Sequence, residues 1–93
     1  MNKYQLLYII DNDLADEAKA EVSDKFLALI ESLGGVVDAI DKWGTKKLAY
    51  EIDGKREGYY VLVKFTADST APAEIERQMK INDTIVRQMI TRI

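Results

Sequence analysis

Two adjacent lysines follow the chain's single tryptophan within a few residues, in a protein of net charge −3. These residues are Trp43, Lys46 and Lys47. Lysine offers a point charge to phosphate oxygens, and several such contacts along one surface bind a polyanion even when the whole protein is acidic. Alternatively, lysines on a strand face solvent or protect a sheet edge from aggregation. Between Lys42 and Lys64, six basic side chains stand against three acidic ones, which favours a local basic ridge.

Arginines are a second source of phosphate contacts, because the planar guanidinium suits bidentate binding of phosphate or carboxylate. Arg77 falls on a predicted helix, and Arg87 and Arg92 fall near the two ends of the last predicted strand, on opposite faces. For Arg77 the alternative is a weak surface ion pair with a neighbouring carboxylate.

Four tyrosines fall on the two strands predicted to lie at the centre of a sheet: Tyr4, Tyr8, Tyr59 and Tyr60. On an open sheet face, tyrosine rings stack on unpaired RNA bases. More often such rings belong to the core. One signature of RNA-recognition modules is loosely matched by Leu7-Tyr8-Ile9, whereas the second signature fails after Gly58-Tyr59. Both interpretations of the tyrosines remain open from the sequence.

The composition offers few of the residues that enzymes use for catalysis. With no cysteine and no histidine, the chain lacks a thiol nucleophile, thiolate zinc ligands and Ser-His or Cys-His catalysis. No glycine-rich phosphate loop of common spacing occurs. We therefore predict that the protein is not an enzyme and has no cofactor, metal site or small-molecule substrate. No secretion signal or membrane-spanning run is evident, which predicts a cytoplasmic protein without membrane contact.

Hydrophobic periodicity predicts four strands and two helices. The predicted strands are residues 3–10, 36–52, 59–66 and 85–93. The first helix is expected to be capped by Asn12 or Asp13 and to end at Gly34-Gly35. The second is expected to have Pro72 in its first turn, to bury Ile75 and Met79, and to end before Asn82-Asp83.

The strand over residues 36–52 is unusually long, roughly 56 Å at about 3.3 Å per residue. Part of it should therefore project beyond the sheet. Gly44 is a natural position for a bulge, which would change the direction of the Trp43 side chain. Residues 53–58 are expected to form the turn of a hairpin.

This order of elements predicts an α+β fold in one domain over residues 1–93. Two split βαβ units give a ferredoxin-like βαββαβ sandwich, in which a four-stranded antiparallel sheet carries both helices on one face. The other face stays open. Because this topology hosts many unrelated activities, it identifies no function by itself.

Particular residues add a family resemblance that covers essentially the whole chain. They are the block from Trp43-Gly44 through Lys46-Lys47-Leu48-Ala49-Tyr50 to Ile52, then Gly58-Tyr59-Tyr60, Arg77, Ile81-Asn82 and Ile85-Val86-Arg87. With these residues the chain resembles the bacterial small-subunit ribosomal protein number six family. The resemblance implies a structural constituent of the 30S ribosomal subunit without catalytic role. It also implies binding to the central domain of 16S ribosomal RNA, together with small-subunit ribosomal protein number eighteen.

Site residues follow from the same resemblance. The expected contacts with RNA are Lys3, Tyr4, Lys46, Lys47, Arg77, Arg87 and Arg92. The expected contacts with the partner protein are Trp43, Leu48 and Tyr50. The resemblance does not separate RNA contacts from protein contacts among the basic residues. The sequence stops at Ile93, whereas family members often continue into a charged tail, so no function of such a tail is expected here.

Two hypotheses of other classes compete with this one. A stand-alone module for single-stranded RNA would use its tyrosines, and loss of Tyr8 or Tyr60 would weaken binding while leaving the fold intact. A small-ligand regulatory domain of the same topology would dimerise and gain thermal stability with a metabolite.

Overall fold

The protein consists of six elements in the computed structural model, which describes residues 1–52 and 54–93. For residues 49–52 and 55 it describes the backbone alone. In chain order they are β1 (Asn2–Asp11), α1 (Asp16–Ser32), β2 (Val36–Ile52), β3 (Lys55–Ala67), α2 (Ala71–Lys80) and β4 (Ile85–Arg92). The predicted order of strands and helices is confirmed.

The four strands form one sheet in the order β2-β3-β1-β4, with every neighbouring pair antiparallel. Both helices pack on the same face, which confirms the predicted ferredoxin-like α+β sandwich. The tyrosine-bearing strands β1 and β3 are central, as predicted. The second face of the sheet carries no helix among the residues that the structure describes.

Strict alternation along the central strands builds the core. From β1, Tyr4, Leu6, Tyr8 and Ile10 are buried towards the helices, and from β3, Val61, Val63 and Phe65 are buried beside them. The helices contribute Phe26 and Ile30 from α1 and Ala71, Ile75 and Met79 from α2. The inward orientation predicted for Ile75 and Met79 is therefore confirmed.

Helix α1 begins later than the sequence predicts. Asp11 Oδ1 accepts a hydrogen bond from the Asp13 N–H at 3.0 Å, so Asn12 and Asp13 belong to a turn after β1. The N-cap is Ala15, which makes no side-chain cap hydrogen bond. The predicted capping by Asn12 or Asp13 is therefore wrong, because these residues are used by the turn.

The end of α1 matches the expectation. Gly34 has a φ of 81°. The Gly35 N–H donates to the Ile30 carbonyl at 2.9 Å, and the Gly34 N–H donates to the Glu31 carbonyl at 3.0 Å. This is the Schellman pattern, in which a left-handed glycine ends the helix and satisfies its last carbonyls.

The hairpin of β2 and β3 extends beyond the rest of the sheet. The last residue pair of β1 is Asp11 with Gly58, and Gly58 also pairs with Lys46 of β2. Beyond this row, the described residues of β2 and β3 pair only with each other, as Lys47 does with Glu57. We call residues 47–52 and 54–57 the arm. The projecting end of the long strand is confirmed, and β3 starts at Lys55, within the predicted turn.

The pairing of β2 with β3 shifts register at three places, between Val37 and Ala39, between Lys42 and Gly44, and in the arm between Lys47 and Ile52. The second shift leaves Trp43 as the extra residue of a bulge. Gly44 has a φ of 82°, a conformation that other residues rarely adopt. The predicted bulge at Gly44 is confirmed.

At the base of the arm, residue 58 must be a glycine because Ile9 occupies the space of a side chain. A Cβ at this position would lie 2.2 Å from Ile9 Cγ2. We predict that Gly58→Ala destabilises the protein by about 1 to 3 kcal/mol, the usual cost of overpacking a buried site. Urea unfolding measures this change.

A double-mutant cycle provides the control. In an Ile9→Ala background the clashing methyl group is gone, so Gly58→Ala should cost much less than in the wild type. Equal costs in both backgrounds would contradict the steric explanation.

Candidate functional site

The helix-free face of the sheet, which we call the open face, has an apolar centre with cations around it. Strand register places one row across all four strands, Gly44, Tyr60, Ile9 and Arg87, and the next row as Asp41, Leu62, Leu7 and Met89. Further open-face positions are Lys3, Gln5, Lys46 and Lys64. Met89 is 52% exposed. The open face therefore combines apolar contact area with separate charges.

At the β2 side of the open face, four residues form what we call the tryptophan cluster: Asp41, Trp43, Lys46 and Tyr60. The Trp43 ring lies nearly parallel to the Tyr60 ring, with 6.2 Å between centroids and 11° between planes. Lys46 Nζ lies 5.0 Å from the Trp43 ring centroid. The Trp43 indole N–H donates to Asp41 Oδ2 at 3.0 Å. The bulge thus changes the direction of the Trp43 side chain, as predicted, and places it on the open face.

These contacts fix the Trp43 side chain while leaving it 40% exposed. An aromatic side chain that is already ordered loses little conformational entropy when it binds, which favours it as an anchor for a protein partner. Stacking on a base needs an open ring face. Here the Tyr60 ring lies nearly parallel to the Trp43 ring and Lys46 lies over it, so both side chains compete with a base for the ring.

The adjacent lysines point to opposite faces. Lys46 pairs with Gly58 on the open face, whereas Lys47 pairs with Glu57 on the helix side of the arm. Lys42 also lies on the helix side, opposite Val61. The prediction of one basic ridge along the hairpin is therefore wrong, because strand alternation divides neighbouring cations between two surfaces.

Arg87 and Arg92 lie on opposite faces of β4, as predicted. Arg87 pairs with Ile9 on the open face. Arg92 pairs with Tyr4, and its Nη2 donates to Asn2 Oδ1 at 2.9 Å at the far end of the sheet from the arm. The structure thus brings Arg87, but not Arg92, into the same cross-strand row as Tyr60.

Tyr4 is a core residue, which removes its ring from the candidate RNA contacts. It is 7% exposed, and its ring centroid lies 5.5 Å from that of Phe65. Lys3, its neighbour, is exposed on the open face. Leu48 also lies there, since its Cδ2 would be 3.5 Å from a Cβ at Gly58. The side chain of Tyr50 falls outside the described residues.

Arg77 belongs to the other layer of the molecule. It is exposed on α2, and its Nε and Nη2 donate to the two carboxylate oxygens of Glu74 at 3.0 and 2.6 Å. Lys80 likewise pairs with Glu76 at 2.9 Å. The ion pair considered as the alternative for Arg77 is therefore present, and Arg77 is separated by the sheet from the tryptophan cluster.

On the helix side, the base of the arm is held around Lys19, a residue that the sequence analysis missed. Lys19 of α1 is 8% exposed, and its Nζ donates to Asn12 Oδ1 at 3.1 Å and lies 5.1 Å from the Tyr59 ring centroid. The Thr45 hydroxyl donates to the same Asn12 oxygen at 2.7 Å. We call these four residues the Lys19 clamp. Lys19 lies four, seven and eleven residues before Ser23, Phe26 and Ile30, so the buried stripe of α1 was a usable signal.

Neither a metal site nor a membrane helix is found in the part of the chain that the structure describes. No group of three or more acidic side chains there is placed to hold a metal ion. No helix in that part has the length and hydrophobicity needed to cross a membrane.

Comparison with known proteins decides the family. The family model described as Ribosomal protein S6 matches residues 3–92. The chain belongs to the ribosomal protein S6 family. It is 45% identical to the small ribosomal subunit protein bS6 of Alkaliphilus metalliredigens over 93 residues, covering all of this chain and 98% of that protein. It is 46% identical over 92 residues to the bS6 protein of Desulforamulus reducens, covering 99% and 97%.

A solved structure agrees with the fold. The crystal structure of 30S ribosomal protein S6 from Thermotoga maritima superimposes with a TM-score of 0.95 at 26% identity, covering 99% of this chain and 87% of the other. The resemblance inferred from the Trp43 block is confirmed. As a member of this family of small-subunit ribosomal proteins, the chain is located on the cytoplasmic ribosome, and the family is a structural one.

The ion pair of Arg77 has a measurable signature in the acid range. Hydrogen bonds from Arg77, then from Gln78, lower the pKa of Glu74 from its ordinary 4.5 to about 2. Because the folded pKa is depressed, the pair's contribution to stability is present above pH 4.5 and is lost as the pH falls towards 2. We predict that Arg77→Gln returns the pKa of Glu74 towards its ordinary value, as measured by carboxyl NMR titration.

Lys80→Gln is the matched control for this titration. Lys80 pairs with Glu76, so its loss should raise the pKa of Glu76 and leave that of Glu74 in place. A Glu74 pKa that does not respond to Arg77→Gln would contradict the assigned pair.

Proposed function

We propose that this protein binds the central domain of 16S ribosomal RNA as a heterodimer with small-subunit ribosomal protein number eighteen, and that the open face and the base of the arm form the docking surface. One observation carries the proposal: a preordered tryptophan cluster adjoins an apolar sheet face that no helix covers. An antiparallel sheet with a solvated face usually alternates apolar and polar side chains. Here the centre of that face is formed by Leu7 and Leu62, which are half-buried, around the buried Ile9, and Met89 beside them is 52% exposed.

Apolar area of this kind, surrounded by charged groups, is typical of protein–protein interfaces. Trp43 and Leu48 are well placed for such a contact, and Tyr50 stays a prediction from the family resemblance. Asp41 and Asp11 also take open-face positions in the strand register. This mixture of carboxylates and apolar area is complementary to a basic partner.

The charge balance makes the partner necessary for tight RNA binding. Electrostatic affinity for RNA scales with the number of phosphates neutralised. The chain carries 13 basic and 16 acidic residues. The open-face cations Lys3, Lys46, Lys64 and Arg87 are few and separated, so they position RNA in the complex better than they bind it alone. Lys47, Arg77 and Arg92 remain candidates for RNA contacts from other surfaces.

The positions of the tyrosine rings argue against the alternative of a stand-alone module for single-stranded RNA. Tyr8 is 1% exposed, and its hydroxyl donates to Ser23 Oγ at 3.2 Å. Replacing Tyr8 would open the core, contrary to what that hypothesis requires. Tyr60 lies on the open face but stacks with Trp43. No comparable observation favours a small-ligand regulatory domain.

Dependence on the partner is directly testable. We predict that the isolated chain binds a central-domain RNA fragment weakly, with a shallow decrease of log K with log salt. Addition of purified protein number eighteen should strengthen binding and steepen the slope, because more phosphates are then neutralised. A filter-binding salt titration measures both. Equal affinity with and without the partner would disprove the proposal.

Two arginine variants test the location of the interface. Arg87→Gln should weaken RNA binding by the heterodimer, or formation of the heterodimer, whereas Arg77→Gln should have a smaller effect because Arg77 lies on α2, on the opposite layer from the open face. Each variant removes one positive charge, so the net charge is matched. A larger loss from Arg77→Gln would place the binding surface on the helix layer.

A further inference from the structure

We infer that Lys19 is a positioning residue for partner binding: through the Lys19 clamp it fixes the direction of the arm relative to the sheet without itself contacting the partner. This inference rests on the proposed function for its binding consequence. Its structural part, the restraint of the arm, can be measured on the isolated chain.

The first argument is the location of the clamp. Thr45 and Tyr59 form a cross-strand pair on the helix side. This pair lies two rows away from the first pair of the arm, Lys47 with Glu57, on the side towards the sheet. Asn12 lies in the turn that follows β1, where the support of the arm by β1 ends. The clamp therefore joins α1, this turn and both strands of the hairpin one row before the last position that β1 supports.

The second argument is that one oxygen atom, Asn12 Oδ1, connects helix α1 to the hairpin. Asn12 Oδ1 accepts from Lys19 Nζ at 3.1 Å and from the Thr45 hydroxyl at 2.7 Å. The Lys19 ammonium also lies 5.1 Å from the Tyr59 centroid and 3.9 Å from Asp16 Oδ1. A two-stranded ribbon without neighbours is only marginally stable, so its direction depends on such contacts at its base.

The third argument is the residue type. Lys19 occupies the buried stripe of α1, where an apolar side chain would satisfy packing without desolvating a charge. A buried cation with a hydrogen bond and a ring contact selects one geometry, whereas an apolar side chain does not. Such a residue is expected to contribute to orientation more than to global stability.

The experiment compares Lys19→Met with Lys25→Met in the full chain. Methionine keeps much of the length of the lysine stem but removes the charge and the donor, and Lys25 is an exposed lysine on the same helix. Binding of purified protein number eighteen is measured by calorimetry, global stability by urea unfolding, and local opening by hydrogen exchange of the amides of Lys47, Arg56 and Glu57.

For Lys19→Met we expect partner affinity to fall by up to about tenfold, because an arm released from a charge-assisted hydrogen bond must be ordered again when the partner binds. Exchange should accelerate in the arm but not in β1, and global stability should fall little or rise. Lys25→Met should match the wild type. Lys19→Arg, which retains a positive charge with hydrogen-bond donors, should restore much of the affinity.

The inference is overturned if Lys19→Met binds the partner as tightly as the wild type, or if its exchange accelerates evenly through the molecule. The second result would mean that Lys19 contributes only to overall stability. If the wild-type chain itself does not bind the partner, the proposed function fails, and localised exchange in the arm alone then decides whether Lys19 restrains it.

Discussion

The position of the arm depends on contacts made at its base from both sides of the sheet. On the open face, Trp43 lies against Tyr60. On the helix side, Lys19 lies over Tyr59 while Asn12 joins Lys19 to Thr45. Tyr59 and Tyr60 are neighbours on β3, and strand alternation sends their rings to opposite faces. One dipeptide therefore takes part in both sets of contacts.

Backbone geometry makes this arrangement possible. The bulge at Gly44 inserts one extra residue into β2 and sends the Trp43 ring to the open face. At Gly58 the absence of a side chain lets Ile9 lie over the backbone at the end of β1. These two glycines serve different purposes: Gly44 supplies a left-handed conformation, and Gly58 supplies space. Together they allow a long hairpin to leave the sheet at a defined point.

Periodicity and turn chemistry were sufficient to predict the fold. The apolar alternation of β1 and β3, the length of β2 and the glycine bulge all arise from local sequence, and each was confirmed. The cap of α1 was predicted wrongly because Asn12 and Asp13 also suit a turn, and the carboxylate of Asp11 decides between the two. Local sequence does not contain that choice.

The site was less predictable, for two physical reasons. Counting charges along a strand ignores the alternation of side chains between its two faces. The sequence therefore predicted one basic ridge that included Lys46 and Lys47, whereas these side chains lie on opposite faces in the structure. Contacts between distant residues leave no local pattern, as in the hydrogen bond of Thr45 with Asn12, 33 positions away. The Trp43 block identified the family, yet the burial of Tyr4 and the role of Lys19 required coordinates.

A nuclear Overhauser experiment on the free chain tests most directly whether the base of the arm is held from both faces. The structure predicts cross-peaks between the Trp43 and Tyr60 rings and between the Lys19 ε-methylene and the Tyr59 ring, with the lysine protons shifted upfield by the ring current. If both sets of cross-peaks are absent and the lysine protons resonate at their random-coil positions, the arm is not held as described here.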